Sequence, residues 1–297
     1  MDAIVTAGGI PQAGDPLYAF SNGNSKALID VAGKPMIQWV LDSLGDSKKV
    51  DNVIVIGLTS KSGLTCKKPL HFVSNQGRML ANIVTGVQKS IELNKKTEYV
   101  LLVSSDIPAL KSGMVDWLVD TSMQTRDDIY YGVCPREVME ARFPTSHRTY
   151  TKLKDMQVCG ADINIIHVSM TTDHLDTWEK LIGNRKSPLA SAAVIGWDTL
   201  FQLFMRQFTL QALADRASQR IGIKGRIIIW DQAEPCMDVD KPHQLEIMRE
   251  DLALQKKKES AAQKKALRSP AKKAAPSKKT PPSKKTGAPT KAKAKKK

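Results

Sequence analysis

The chain has 297 residues, 45 Lys and Arg against 30 Asp and Glu, a formal net charge of +15 at pH 7 and 41% hydrophobic residues. This length and apolar content exclude a chain disordered throughout and are enough to bury a sizeable core. The charge is segregated: 17 basic residues and one acid, Glu259, lie from Lys256 onward, so that segment carries +16 and residues 1–255 carry −1. The four cysteines, Cys66, Cys134, Cys159 and Cys236, show no Cys-x-x-Cys pair, and the start lacks a basic-then-apolar leader, so a reduced cytoplasm is the expected setting.

The first predicted strand, Ala3–Thr6, runs into Ala7-Gly8-Gly9, and a polar loop then leads to Ser25-Lys26-Ala27-Leu28 and Gly33-Lys34-Pro35-Met36. Backbone amides in a turn poor in side chains approach a phosphate closely, and a lysine in the same loop neutralises it. An ordinary strand-to-helix turn satisfies the same glycines. A helix over Met36–Leu44 and strands over Val53–Gly57 and Leu70–Val73 follow, then Gln76-Gly77-Arg78 and Asn82 at the opening of a helix over Leu80–Leu93. The strand Tyr99–Ser104 is apolar in its middle and delivers Asp106 at its end, just before Pro108. A carboxylate in that position anchors Mg²⁺, which on a nucleotide takes one or two protein carboxylates and fills its shell with phosphate and water. Capping of the following turn is the other reading.

A helix over Met114–Thr121 and a strand over Ile129–Cys134 precede a basic stretch holding Arg148, Lys152 and Lys154, then Gly160-Ala161-Asp162 and the strand Ile163–His167. A solvated face explains those lysines as well as an anion site does. Helices are expected over Leu175–Ile182, Thr199–Phe208 and Leu210–Ser218. The apolar stretch Ser187–Met205 is interrupted by Asp198 and followed by Arg206, too broken for a membrane span. Its Leu200, Leu203, Phe204 and Phe208 recur at helical spacing, which suits packing in the core or between the subunits of a homo-oligomer. After the strand Arg226–Trp230, Asp238 and Asp240 precede Pro242 at the start of a helix over Lys241–Gln255, an arrangement that also fits helix capping. Strands and helices alternating in this way give a Rossmann-like, mostly parallel mixed sheet covered on both faces, with ligands gathered at the carboxyl ends of the strands.

Three segments in order, Lys26–Leu44 with its glycine turn, Asp106-Ile107-Pro108 and Met237–Leu245, resemble nucleotidyltransferases with a molybdenum-cofactor guanylyltransferase-like (MobA-like) NTP transferase domain, related to sugar-1-phosphate nucleotidyltransferases. The resemblance implies the nucleotide-diphospho-sugar transferase (GT-A-like) fold. It also implies Mg²⁺-dependent transfer of a nucleoside monophosphate from an NTP to a phosphorylated small-molecule acceptor, with release of pyrophosphate. Carried over, Ala7, Gly8, Gly9 and Lys26 hold the triphosphate, and Asp106 and Asp240 hold the metal, with Asp238 as the neighbour that substitutes. Gln76, Gly77 and Asn82 contact base and ribose; Lys152, with Lys154 next and Asp162 as a polar contact, receives the acceptor. The family's first loop is shorter, with an arginine after the glycines and a proline before the lysine, whereas residues 10–25 contain no arginine and Ser25 precedes Lys26. That departure leaves a second reading, a catalytically silent nucleotide-sensing or nucleic-acid-associated module of the same fold.

Residues 1–255 are therefore expected to form the transferase-like domain and 256–297 a disordered tail. The tail repeats Ser269-Pro-Ala-Lys-Lys, Pro276-Ser-Lys-Lys and Pro282-Ser-Lys-Lys without one aromatic or β-branched aliphatic residue, so it has nothing to bury. Its composition resembles linker-histone tails, and such a chain binds a polyanion, DNA or RNA among them, by counterion release.

Overall fold

The structure, a computed structural model, describes residues 1–173, 175, 178–179 and 196–268. Contacts divide the chain into two units, Met1–Lys256 and Lys257–Lys297. The first is built on a nine-stranded sheet in the order β5-β4-β1-β6-β10-β7-β9-β8, with β11 also paired to β7. Its strands are β1 (Asp2–Thr6), β4 (Val53–Ile56), β5 (Leu70–Val73), β6 (Tyr99–Ser104), β7 (Ile129–Pro135), β8 (Thr151–Lys152), β9 (Gln157–Gly160), β10 (Ile163–His167) and β11 (Gly225–Ile229), while β2 (Asp30–Val31) and β3 (Lys34–Pro35) form a separate small ribbon.

The central strands β1, β4 and β6 run parallel, so the carboxyl ends of β1 and β6 lie side by side, with Thr6 opposite Ser104. Both faces of these strands are buried, which explains their unbroken apolar sequences. Ala3, Val5, Val53, Val55, Leu101 and Val103 enter one core, and Ile4, Ile54, Ile56 and Val100 enter another on the opposite face. After the single-turn helix α1 (Tyr18–Ser21), the helix α2 (Met36–Asp46) lays Met36, Ile37, Val40, Leu41 and Leu44 on the first. The helix α3 (Met79–Leu93) lays Ile83 and Val87 on the second, the repeat of one face of a helix. Gly86 is what lets α3 sit down: a Cβ there would lie 2.6 Å from Ile4 Cγ2.

The other half departs from a parallel run. β10 is antiparallel to both β6 and β7. β7 pairs with β10 at Ile129 and Tyr130, then with β9 from Val133 to Pro135, so Gly160–Asp162 crosses between the two partners. The helix α4 (Ser112–Ser122) covers the one expected over Met114–Thr121, whereas the short strand β9 and the helix α5 (Arg136–Arg142) have no counterpart in the sequence reading; each is too short for its own periodicity to stand out.

Further along, the helix α6 (Trp197–Phe204) stops at Met205, and Arg206 takes a positive φ of 54°, so Phe208 lies outside the helix expected to reach it. Phe204 is 82% exposed rather than in the core, while Leu203 packs on a small cluster with Val133, Leu153 and Leu210. The helix α7 (Leu210–Ile221) follows as expected, with Thr209 accepting from Ala212 N at its start. The helix expected over 175–182 falls largely outside the described residues. The last helix, α8 (Pro242–Arg268), continues past Gln255 into the basic segment, because Lys, Glu, Ala and Gln all favour helix up to the first tail proline, Pro270. Among the described residues no helix is long and apolar enough to cross a membrane.

Candidate active site

The turn after β1 is held by close backbone packing. Ala7 N donates to Ile56 O at 2.8 Å, and Gly57, at φ 99°, lies so near that a Cβ on it would stand 2.3 Å from Gly8 Cα. A Cβ on Gly8 would meet Asn75 at 2.8 Å, whereas Gly9 faces open space. The long loop then folds back through Ser25, whose hydroxyl donates to Ala7 O at 2.5 Å and accepts from Ala27 N at 3.2 Å, and through Lys26 N donating to Gly9 O at 2.9 Å. Ser25, at the position that departs from the family pattern, thus fixes Lys26 beside the glycines.

Lys26 brings the three motifs together. Its Nζ lies 2.5 Å from Asp106 Oδ2 and 2.7 Å from Asp240 Oδ1. Burial works to lower the ammonium's pKa, but the two carboxylates outweigh it and hold the pKa above the ordinary lysine range. Asp106 is buried and its Oδ1 has no hydrogen-bond partner, while Asp240 is over half exposed. The two aspartate segments are tied by Val239 N donating to Asp106 O at 2.9 Å. At the start of α8, Gln244 Oε1 accepts from Asp240 N and Lys241 N at 2.9 Å each, so a residue inside the helix caps these amides.

Asp162 joins the cluster from the β9–β10 crossover, where Ser104 N donates to its carbonyl at 2.8 Å. Burial, then the negative charge of Asp106 with a smaller push from Asp240, raises its carboxyl to about 7, with Arg148 and Lys26 pulling the other way. Asp238 takes a different partner: it is ion-paired with Arg148.

Gln76, Gly77 and Asn82 form one network with the glycine turn. Gln76 N donates to Asn82 Oδ1 at 2.7 Å, Asn82 Nδ2 to Asn75 Oδ1 at 3.1 Å, and Asn75 Nδ2 to Gly8 O at 3.1 Å. Gly77 N also donates to Asn75 Oδ1, at 2.9 Å. Lys152 is not brought to the aspartates; it is exposed and lines a cavity of about 300 Å³ with Arg136, His147, Arg148 and Tyr150. Arg148 belongs to both places, walling the cavity and pairing with Asp238. Lys154 borders an adjoining cavity beside Glu137 and Asp155, which shares Arg136, Glu140 and Gln157 with the first.

Ser25, Asn75, Arg148 and Gln244 are the positions that the sequence left unassigned. The only signal for Gln244 is its place four residues after Asp240, within reach of the amides at a helix start. The donor set suits a divalent ion with oxygen preference: two carboxylates converge on one cation, and a buried Asp106 oxygen has no protein partner. Among the described residues no group of three or more His, Cys, Asp or Glu is arranged to hold a metal, so the rest of such a shell falls to the nucleotide and water.

A glycine turn, a lysine and carboxylates gathered from separate segments at the carboxyl ends of a doubly covered sheet define an α/β nucleotidyltransferase type of domain. The MobA-like NTP transferase domain family matches residues 3–220, and the chain belongs to that family. Asp238 and Asp240 lie beyond the matched span. A hypothetical transferase from Thermus thermophilus is 27% identical with a TM-score of 0.71, covering 82% of this chain and 98% of its own. A CMP:2-keto-3-deoxy-manno-octonic acid synthetase complexed with CTP shares the fold at 14% identity and a TM-score of 0.56, over 86% of this chain and 98% of its own. No curated protein matched the sequence.

Proposed function

We propose that the chain transfers a nucleoside monophosphate from an NTP to a phosphorylated small-molecule acceptor and releases pyrophosphate, in the cytoplasm and with Mg²⁺. The observation that carries this reading is the convergence of Asp106 and Asp240 on Lys26 next to the glycine turn.

An acceptor phosphate oxygen attacks the α-phosphorus, the bond to the β-phosphate bridge oxygen breaks, and the electron pair leaves with pyrophosphate. No side-chain nucleophile is needed, so positioning and charge neutralisation supply the rate. The backbone of Gly8 and of the exposed Gly9 and the Lys26 ammonium meet the charge that develops on the departing pyrophosphate. Mg²⁺, held by Asp106 and Asp240 when bound, supplies further neutralisation at the phosphates. The Asn75–Gln76–Asn82 network sets the wall against which base and ribose rest. Lys152, with Arg136 and Arg148 on the same cavity, presents positive charge to the acceptor's phosphate. The basic segment from Lys256 gives the enzyme a polyanion anchor.

Incubation with each of four NTPs and a panel of phosphorylated metabolites, read by pyrophosphate release, tests the proposal. One nucleotide–acceptor pair is expected to release pyrophosphate in a divalent-ion-dependent manner. Nucleotide binding without release from any pair would favour the silent module, the reading to which the arginine-free loop at residues 10–25 points.

A further inference from the structure

Three of the four cysteines, widely spaced in sequence, come together in the fold. Cys134 on β7 and Cys159 on β9 are directly opposed in an antiparallel pair, both buried. Opposed residues in such a pair share one face of the sheet with Cα atoms about 4.5–5.5 Å apart, inside the ~4.4–6.8 Å that a disulfide spans. Cys159 Sγ donates to Cys134 O at 3.7 Å, and Cys236, buried at the end of the turn Glu234–Cys236, is a close neighbour of both thiols.

We propose that Cys134 and Cys159 form an oxidisable cross-strand dithiol, a modification site that a hydroperoxide converts into a disulfide. The Cys159 thiolate attacks the peroxide's terminal oxygen, the O–O bond breaks, and the leaving oxygen departs as water or an alcohol after taking a proton. The Cys134 sulfur then attacks the resulting sulfenic sulfur, and the displaced hydroxide leaves as water with the Cys134 proton. Two thiols and one peroxide thus give one disulfide, one water and one further water or alcohol.

Cys159 is the attacking thiol by its surroundings. The neighbouring Cys134 and Cys236 thiols, then the Arg148 guanidinium, hold it well below the usual thiol range, while its two neighbours are pushed up. Arg148 and Tyr150, whose side chains also interact electrostatically with Cys159, line the cavity that holds Lys152, so the buried pair lies behind the wall of that cavity.

Titration of the full chain with hydrogen peroxide, followed by alkylation and peptide mass mapping, tests the site without reference to any transferase activity. A Cys134–Cys159 linked peptide is expected to form before Cys66 is oxidised, although Cys66 is the most exposed of the four; burial, with the Asp42 carboxylate adding to it, pushes the Cys66 thiol up. The link should revert with dithiothreitol and persist in Cys236→Ser. Oxidation of Cys66 ahead of an unlinked Cys134 and Cys159, or a link made through Cys236, would overturn the proposal.

Discussion

At the scale of single residues, Lys26 and Asp162 carry the sharpest expectations. Lys26→Met leaves Asp106 and Asp240 facing each other without their shared cation, and Asp106 has little water to turn to. Turnover is expected to fall ~10²-fold or more, and urea denaturation to show a loss of about 2–3 kcal/mol, below a fully buried pair because Asp240 is exposed. Asp162 tests the electrostatics. Its carboxyl is raised to about 7, above its value in the unfolded chain, so the native state binds the proton more tightly. The stability this contributes is complete below the unfolded pKa and is lost as pH rises through about 7. The Tm of Asp162→Asn relative to wild type should therefore climb between pH 4 and 8; a difference independent of pH would contradict the arrangement. Lys26, Asp106 and Asp240, which the fold brings together, could be singled out in the sequence because each sits in a short local pattern that resembles a nucleotidyltransferase motif. Ser25, Arg148 and the cysteine trio were not, since their partners are distant in sequence and only the β9–β10 crossover and the folded-back loop bring them together.

At the scale of elements, the close contact between the turn after β1 and the turn after β4 positions the site. Gly57→Ala puts a methyl against Gly8 and forces a positive φ on a residue with a side chain. A loss of about 1–3 kcal/mol in urea denaturation is expected, with KM for nucleotide raised because the Gly8-Gly9 backbone must move. A second tie runs from α5 to the last helix, where Arg142 donates to Asp251 at 2.8 and 2.9 Å and to buried Glu234 at 3.0 Å. Arg142→Ala leaves Glu234 without its charge partner and should cost about 2 kcal/mol, discounted for the guanidinium's 35% exposure. The strands β1, β4, β6 and β10 and the helices α2 and α3 could be read from apolar runs and helical spacing because both faces of the sheet are buried. The end of α6 could not, since a left-handed Arg206 is set by local backbone geometry rather than by apolar periodicity.

At the scale of the whole molecule, charge and chemistry occupy different parts of the sequence: residues 1–255 are near neutral and hold every nucleotide motif, and the positive charge follows. Removal of residues after Lys256, which donates to Ala32 O at 3.0 Å, should leave turnover on small substrates unchanged and abolish most binding to duplex DNA. In the intact chain that binding should weaken steeply between ~50 and 200 mM salt; an isotherm that survives the cut would place the anion site in the body. Pyrophosphate release at saturating nucleotide by wild type, Asp106→Ala and Asp240→Ala, each checked for intact fold by circular dichroism, tests the metal site most directly. Metal-dependent release by wild type and a loss of ~10²-fold or more in both variants is the predicted result. Near-wild-type release by both aspartate variants would contradict it.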